Sequence, residues 1–126
     1  MKKTSDVGVM EWFESQDEET LYISVLAVGE IKKGITKLDP SRRKEELADW
    51  LEKVVKRYDR RILPFTLSEA NLWGKVKGGL EKRGTVLSVI DSLMAATALD
   101  QDLTIVTRNV DDFAATGVRV VNPWSA

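Results

Sequence analysis

Apolar residues recur along this chain with a helical period through most of its length and gather into short unbroken runs elsewhere. Val9, Trp12 and Phe13 follow Ser5-Asp6 at helical spacing and predict a first helix reaching to about Gln16. Leu21-Tyr22-Ile23 is a compact apolar run rich in β-formers, read as a buried strand ending at Ser24. Val28, Ile31, Ile35 and Leu38 then form a helical stripe that stops at Asp39-Pro40. Leu47, Trp50, Leu51, Val54, Val55 and Tyr58 give the clearest amphipathic helix. Arg61 to Phe65 reads as a second short strand, and Thr66-Leu67-Ser68-Glu69 has the spacing of a capping box that opens a helix through Trp73, Val76 and Leu80. That helix contains Gly74, Gly78 and Gly79, each weakening it by about 1 kcal/mol relative to alanine, which implies close packing or local mobility. Ile90, Leu93, Met94, Thr97 and Ala98 mark a further helix of small residues. Leu103 to Thr107 is a continuous strand of the kind buried on both faces, and Val118 to Val121 forms the last strand before Asn122-Pro123.

Strands alternating with helices predict an α/β fold with a parallel sheet and right-handed crossovers. The 126 residues fit one domain, 1–126, with no internal repeat or linker. In such folds, ligand sites collect beyond the carboxyl ends of the strands.

Composition narrows the chemistry. The chain has no cysteine and no histidine, so disulfides, thiolate zinc sites, cysteine nucleophiles and imidazole acid/base work are excluded. Catalysis has to come from carboxylates, hydroxyls, amines or a bound hard cation. With 43% hydrophobic and 31% charged residues, and no apolar run of bilayer length, the reading is a soluble cytosolic protein without membrane contact. Charge is segregated: residues 1–30 and 85–126 are net acidic and the stretch between them net basic. A basic middle suits an anionic polymer and acidic ends suit cations, although solvated helix faces give the same pattern.

Glu30, Asp91 and Asp112 fall where this topology puts the carboxyl edge of the sheet, and they are expected to converge on one acidic pocket. Each also has an ordinary explanation. Glu30 can be a half-exposed helix glutamate, Asp91 follows Ser88 at capping spacing, and Asn109 and Asp112 can be a cap and its third residue. Carboxylates brought together without lysines repel one another unless they are protonated or hold a cation, and magnesium or manganese is the natural guest.

Residues 21–35, from Leu21 through Ser24, Gly29 and Glu30 to Ile35, resemble the segment of VapC-type PIN toxins that carries their second acidic residue. Leu63-Pro64-Phe65 with Ala70 and Trp73 is similar to the segment that follows. Asp91-Ser92-Leu93-Met94-Ala95-Ala96 resembles the third acidic motif. Thr107 to Phe113, with Gly117-Val118 and Val121-Asn122-Pro123-Trp124, resembles the family's ending. The resemblance implies a PIN-like three-layer α/β/α fold and a magnesium- or manganese-dependent endoribonuclease, the toxin of a toxin-antitoxin system. Its expected partners are an RNA substrate, a cognate VapB-like antitoxin and a second copy in a homodimer. Glu30, Asp91 and Asp112 carry over as catalytic, metal-binding carboxylates, with Asp111 an alternative to Asp112. Ser24, Arg108 and Asn109 carry over as substrate-side residues, Arg108 otherwise pairing with Asp111 or Asp112. Trp12, Trp50, Trp73 and Trp124 are assigned to packing or partner contact. The family opens with a strand ending in aspartate, whereas Asp6 lies in a polar segment. The expectation is therefore a chain without that central strand and first aspartate, impaired as a nuclease.

The competing class is an inactive remnant that binds protein only. A signalling receiver needs a phosphorylatable aspartate at a strand end and a placed lysine, and a dinucleotide oxidoreductase needs a glycine-rich strand-to-helix turn. Neither pattern is present.

Overall fold

The computed structural model describes residues 11–12 and 15–124. Glu11, Trp12 and Ser15 are helical, and the Ser15 hydroxyl donates to the Trp12 carbonyl at 2.6 Å. The rest of the expected first helix, Val9 and Phe13 included, lies outside the described residues, as does the polar segment around Asp6.

Two compact units make up the chain, one of residues 19–65 and the other of residues 66–126 with those up to 18. In the first, β1 (Ile23–Ser24) leads into α1 (Val25–Thr36), then α2 (Arg42–Arg57) and β2 (Ile62–Leu63). β1 and β2 pair in parallel, Ile23 beside Ile62 and Ser24 beside Leu63, so the helices form the crossover that parallel pairing demands. Ser24 caps α1 by accepting from the Leu26 N–H at 3.0 Å, and Ser41 caps α2 by accepting from the Lys44 N–H at 3.1 Å. Asp39-Pro40 falls between the two helices, as its restricted backbone requires. The buried side chains here are Ile35 and Leu51, one from each helix stripe. The Arg61 guanidinium donates to the Leu21 carbonyl at 3.1 Å and covers the Tyr58 ring.

The second unit holds α3 (Leu67–Lys82), α4 (Val89–Asp100), β3 (Ile105–Val106), the single-turn α5 (Val110–Phe113) and β4 (Val120–Val121). α3 and α4 lie along one another, and α4 buries Ser92, Ala95, Ala96, Thr97 and Ala98, with Ser92 meeting Trp73 of α3. Small residues of this kind permit a close helix approach; the glycines of α3 are not the cause of it. A Cβ built on Gly74, Gly78 or Gly79 meets nothing within 4 Å among the described residues, so of the two expectations, close packing or local mobility, the first does not hold there. Leu80, Leu87 and Phe113 complete the apolar core.

β3 and β4 are parallel, with Ile105 beside Val120 and Val106 beside Val121. β3 is shorter and less covered than its apolar run suggested, because both of its residues are only half-buried. Two local interactions bound it. Asp102, just before it, takes a left-handed conformation (φ 55°), and Arg119 donates to the Asp102 carbonyl at 2.9 Å and pairs with its carboxylate at 3.1 Å. Just beyond the strand, the Thr107 hydroxyl accepts from the Asn109 N–H at 3.0 Å and turns the chain out of the ladder. The strands are thus parallel and joined by helices, as expected, and they form two pairs, one within each unit.

A buried glutamate marks the start of α3. Glu69 is 1% exposed. Thr66 caps the helix by accepting from the Glu69 N–H at 3.2 Å, and its hydroxyl donates to Glu69 Oε2 at 2.7 Å. Gln101 donates to the same oxygen at 3.4 Å, while Oε1 is buried with no hydrogen-bond partner among the described residues. Burial pushes this carboxyl up, but hydrogen bonds from Thr97, Thr66 and Gln101 outweigh it and hold Glu69 below its ordinary value.

Candidate functional site

A surface cavity of about 370 Å³ in the second unit is lined by Thr85, Val86, Leu87, Ser88, Asp91, Asp111, Asp112 and Ala115. Three sequence features build it. The loop after α3 begins with Gly84, whose left-handed conformation (φ 75°) ends the helix in a Schellman turn. The Gly84 N–H donates to the Glu81 carbonyl at 3.0 Å and the Thr85 N–H to the Leu80 carbonyl at 2.8 Å. The loop ends at Ser88, which caps α4 by accepting from the Asp91 N–H at 3.1 Å. This puts Asp91 in the first turn of α4, half-buried and facing the cavity. The opposite wall comes from α5, the single turn that follows β3, with Asp111 and Asp112 in its exposed first turn.

The cavity therefore brings together two of the three expected carboxylates, Asp91 and Asp112, with Asp111 beside them. Among the described residues no lysine or arginine lines it, and its donors are carboxylates, hydroxyls and backbone groups. Among the described residues, no group of three or more aspartates and glutamates stands close enough together to hold a metal ion unaided. Glu30 belongs to the other unit, on α1, where its carboxylate pairs with Lys33 at 3.0 Å. Ser24 lies in that unit as well, its hydroxyl engaged as the α1 cap. Asn109 precedes α5 without a side-chain capping bond, so the expected cap with Asp112 as its third residue is reduced to a backbone bond, Asp112 N–H to Asn109 carbonyl at 3.1 Å. Arg108 places its guanidinium over the Trp124 ring, 5.1 Å from the centroid, which gives the aromatic ending a function in holding that arginine.

The sequence singled out Ser88 as a cap for Asp91 but not the wall from Thr85 to Leu87, for which Gly84 was the local signal. Nor did it show that Lys77, on α3, donates through Nζ to the Leu87 carbonyl of that wall. Trp73, one turn earlier, donates through Nε1 to the Ser92 hydroxyl at 2.8 Å, a packing role that matches its assignment.

Known proteins resemble the chain in sequence and in fold. A model of the PIN domain matches residues 5–118. The plasmid stability protein StbB of Pseudomonas syringae pv. tomato is 29% identical, over 99% of this chain and 91% of its own length. The VapC ribonuclease Y4jK of Sinorhizobium fredii is 30% identical, over 98% of this chain and 89% of its own length. Among solved structures, that of FitAcB from Neisseria gonorrhoeae is similar with a TM-score of 0.86 and 31% identity, covering 94% of this chain and 86% of that one.

Proposed function

The chain belongs to the PIN-domain family, and from that premise we propose that it is the toxin of a toxin-antitoxin pair, an endoribonuclease that hydrolyses RNA phosphodiesters with a bound magnesium or manganese ion. The observation that carries the reading is the meeting of Asp91 and Asp112 on one cavity that, among the described residues, no cationic side chain lines. The donor set fits a hard cation, since magnesium usually takes one or two carboxylates and keeps waters and phosphate oxygens for its other positions. When bound, such an ion supplies charge neutralisation at the phosphodiester and a more acidic water.

The protein's own contribution is positional. Asp91 is presented by a capped helix start, and Asp112 by a short turn that Phe113 anchors with 2% exposure. Glu30 is retained in this proposal as the remaining carboxylate, its ion pair with Lys33 being exposed enough to exchange. Arg108 is proposed to meet a phosphate while its plane stays on Trp124, since stacking leaves the guanidinium edge free to donate. Asn109, next to Arg108 in the chain, and Ser24 are proposed as further substrate-side residues.

A VapB-like antitoxin and a second copy of the chain are the proposed protein partners, and an RNA substrate implies a cytoplasmic setting. Tyr22, Val25 and Trp50, all exposed apolar side chains, also suit the second reading, a protein-binding module without activity. Among the described residues, no helix is long and apolar enough to cross a membrane.

The test is cleavage of a labelled RNA by the whole chain with added magnesium or manganese. Asp91→Asn and Asp112→Asn should each lower the rate by at least about 100-fold. Full activity in both variants would remove the chemistry from this cavity, and no metal-dependent cleavage by the unaltered chain would favour the protein-binding module.

A further inference from the structure

We propose that Lys77 and Trp73 form a two-point clamp from α3 that sets the attitude of Asp91, and that Lys77 is a positioning residue of the site. The inference rests on the reading of Asp91 as a site carboxylate and goes beyond it to the residues that aim it.

Asp91 sits between anchored neighbours. On its amino-terminal side, the Leu87 carbonyl accepts from Lys77 Nζ, and Ser88, the next residue, is the cap that accepts from the Asp91 N–H. On its carboxyl-terminal side, Ser92 is fully buried, accepts from Trp73 Nε1 at 2.8 Å and donates to the Val89 carbonyl at 2.7 Å. Trp73 and Lys77 are one helical turn apart, so one ridge of α3 grips residues on both sides of Asp91. None of these bonds uses the Asp91 carboxylate, which is left facing the cavity. Lys77 does not line the cavity, and so acts on the carboxylate through the backbone and adds no competing charge to a cation site.

Leucine 87 shows why the grip is needed at that point. Its side chain is buried, 7% exposed, while its neighbours Val86 and Ser88 are exposed. The loop between Thr85, held by the Schellman turn, and Ser88, held by the cap, would otherwise be fixed in the middle only by non-directional apolar packing. A charged donor on the Leu87 carbonyl adds direction, and a half-buried ammonium needs an acceptor of its own. Outer groups that orient a metal-site ligand commonly change affinity or activity by about 10- to 100-fold when removed.

The experiment compares the whole chain with Lys77→Met, Lys77→Arg, Trp73→Phe and Asp91→Asn. Steady-state cleavage of a fluorogenic RNA and manganese binding followed by electron paramagnetic resonance are both measured. Lys77→Met should lower kcat by at least about 10-fold and weaken manganese binding by about 10-fold, with KM for RNA within about 2-fold. Lys77→Arg, which keeps a charged donor, should recover most of both. Trp73→Phe keeps an aromatic ring, deletes the N–H donor and should shift both readouts in the same direction; it carries the test should Lys77→Met fail to fold. Unchanged kcat and manganese binding in Lys77→Met, with Asp91→Asn inactive, would overturn the clamp. So would a raised KM with unchanged kcat, which would make Lys77 a direct RNA contact. Full activity in Asp91→Asn would instead overturn the underlying reading of the site.

Discussion

Glu69 offers a measurement in which stability and protonation can be separated. Glu69→Ala removes a carboxylate that is 1% exposed and takes hydrogen bonds from Thr66 and Gln101, leaving those donors without their acceptor. A hydrogen bond to a charged group contributes about 1.5–3 kcal/mol, and Thr66 and Gln101, both exposed, can turn their donors to water once the carboxylate is gone. Relief of the buried charge, together with loss of the partnerless Oε1, works in the opposite direction. The balance is a loss of about 2 kcal/mol at neutral pH, or roughly 8 °C in melting temperature for a chain of this size. The pH dependence has a definite sign. The folded-state carboxyl lies below its ordinary value of 4.5, so its contribution is complete above that pH and is lost as pH falls through the folded value. Urea denaturation of the wild type and Glu69→Gln should therefore show a constant gap from about pH 8 to about pH 5.5, closing below about 4.5. A gap that widens on acidification, or a Glu69→Ala variant as stable as wild type at neutral pH, would refute the reasoning.

Backbone conformation and packing give two further expectations. Asp102 occupies the left-handed position at the end of α4, and its exposed pair with Arg119 contributes little, so Asp102→Gly should raise stability by about 0.5–1 kcal/mol. Gly117→Ala, at φ 78°, should lower it by about 1 kcal/mol, and equal melting temperatures in both variants would contradict the strain argument. Leu80, with 0% exposure, should cost about 2–5 kcal/mol as Leu80→Ala, read from the urea midpoint; a loss under about 1 kcal/mol would mean the site collapses around the missing atoms.

What could be read from the sequence was whatever is local. The stripe from Leu47 to Tyr58 specified α2, and the Thr66–Glu69 and Ser88–Asp91 spacings specified two helix starts. The family was legible because its motifs are also local runs. Strand length was not, because the apolar run from Leu103 to Thr107 says nothing of the Asp102 turn and the Thr107 bond that confine pairing to Ile105 and Val106. Glu69 was recognised as a capping residue, but the hydrogen bonds that hold its buried carboxyl below its ordinary value come in part from Thr97 and Gln101, which are distant in sequence. Asp91 and Asp112 were found as candidates from motif and topology, whereas the wall opposite Asp112 depends on how the chain turns at Gly84. The glycines of α3 left close packing and local mobility both open for a related reason: composition records small size, and only coordinates record whether anything stands close enough to require it.

The small buried face of α4 bears on how this sequence can drift. Asp91 sits at one end of a helix whose body is seated on Ser92, Ala95, Ala96, Thr97 and Ala98. An added methyl or methylene at those positions has nowhere to go, so it would lift or tilt the helix and carry its amino-terminal turn along with it. The tolerance of the cavity to mutation is thus set partly by side-chain volume one to two turns along α4 from Asp91. Enlargement at Ala95 or Ala96 should be purged as strictly as exchange of the carboxylate itself, while the side chain of exposed Asp100 at the far end is held, among the described residues, only by its bond from Ser68.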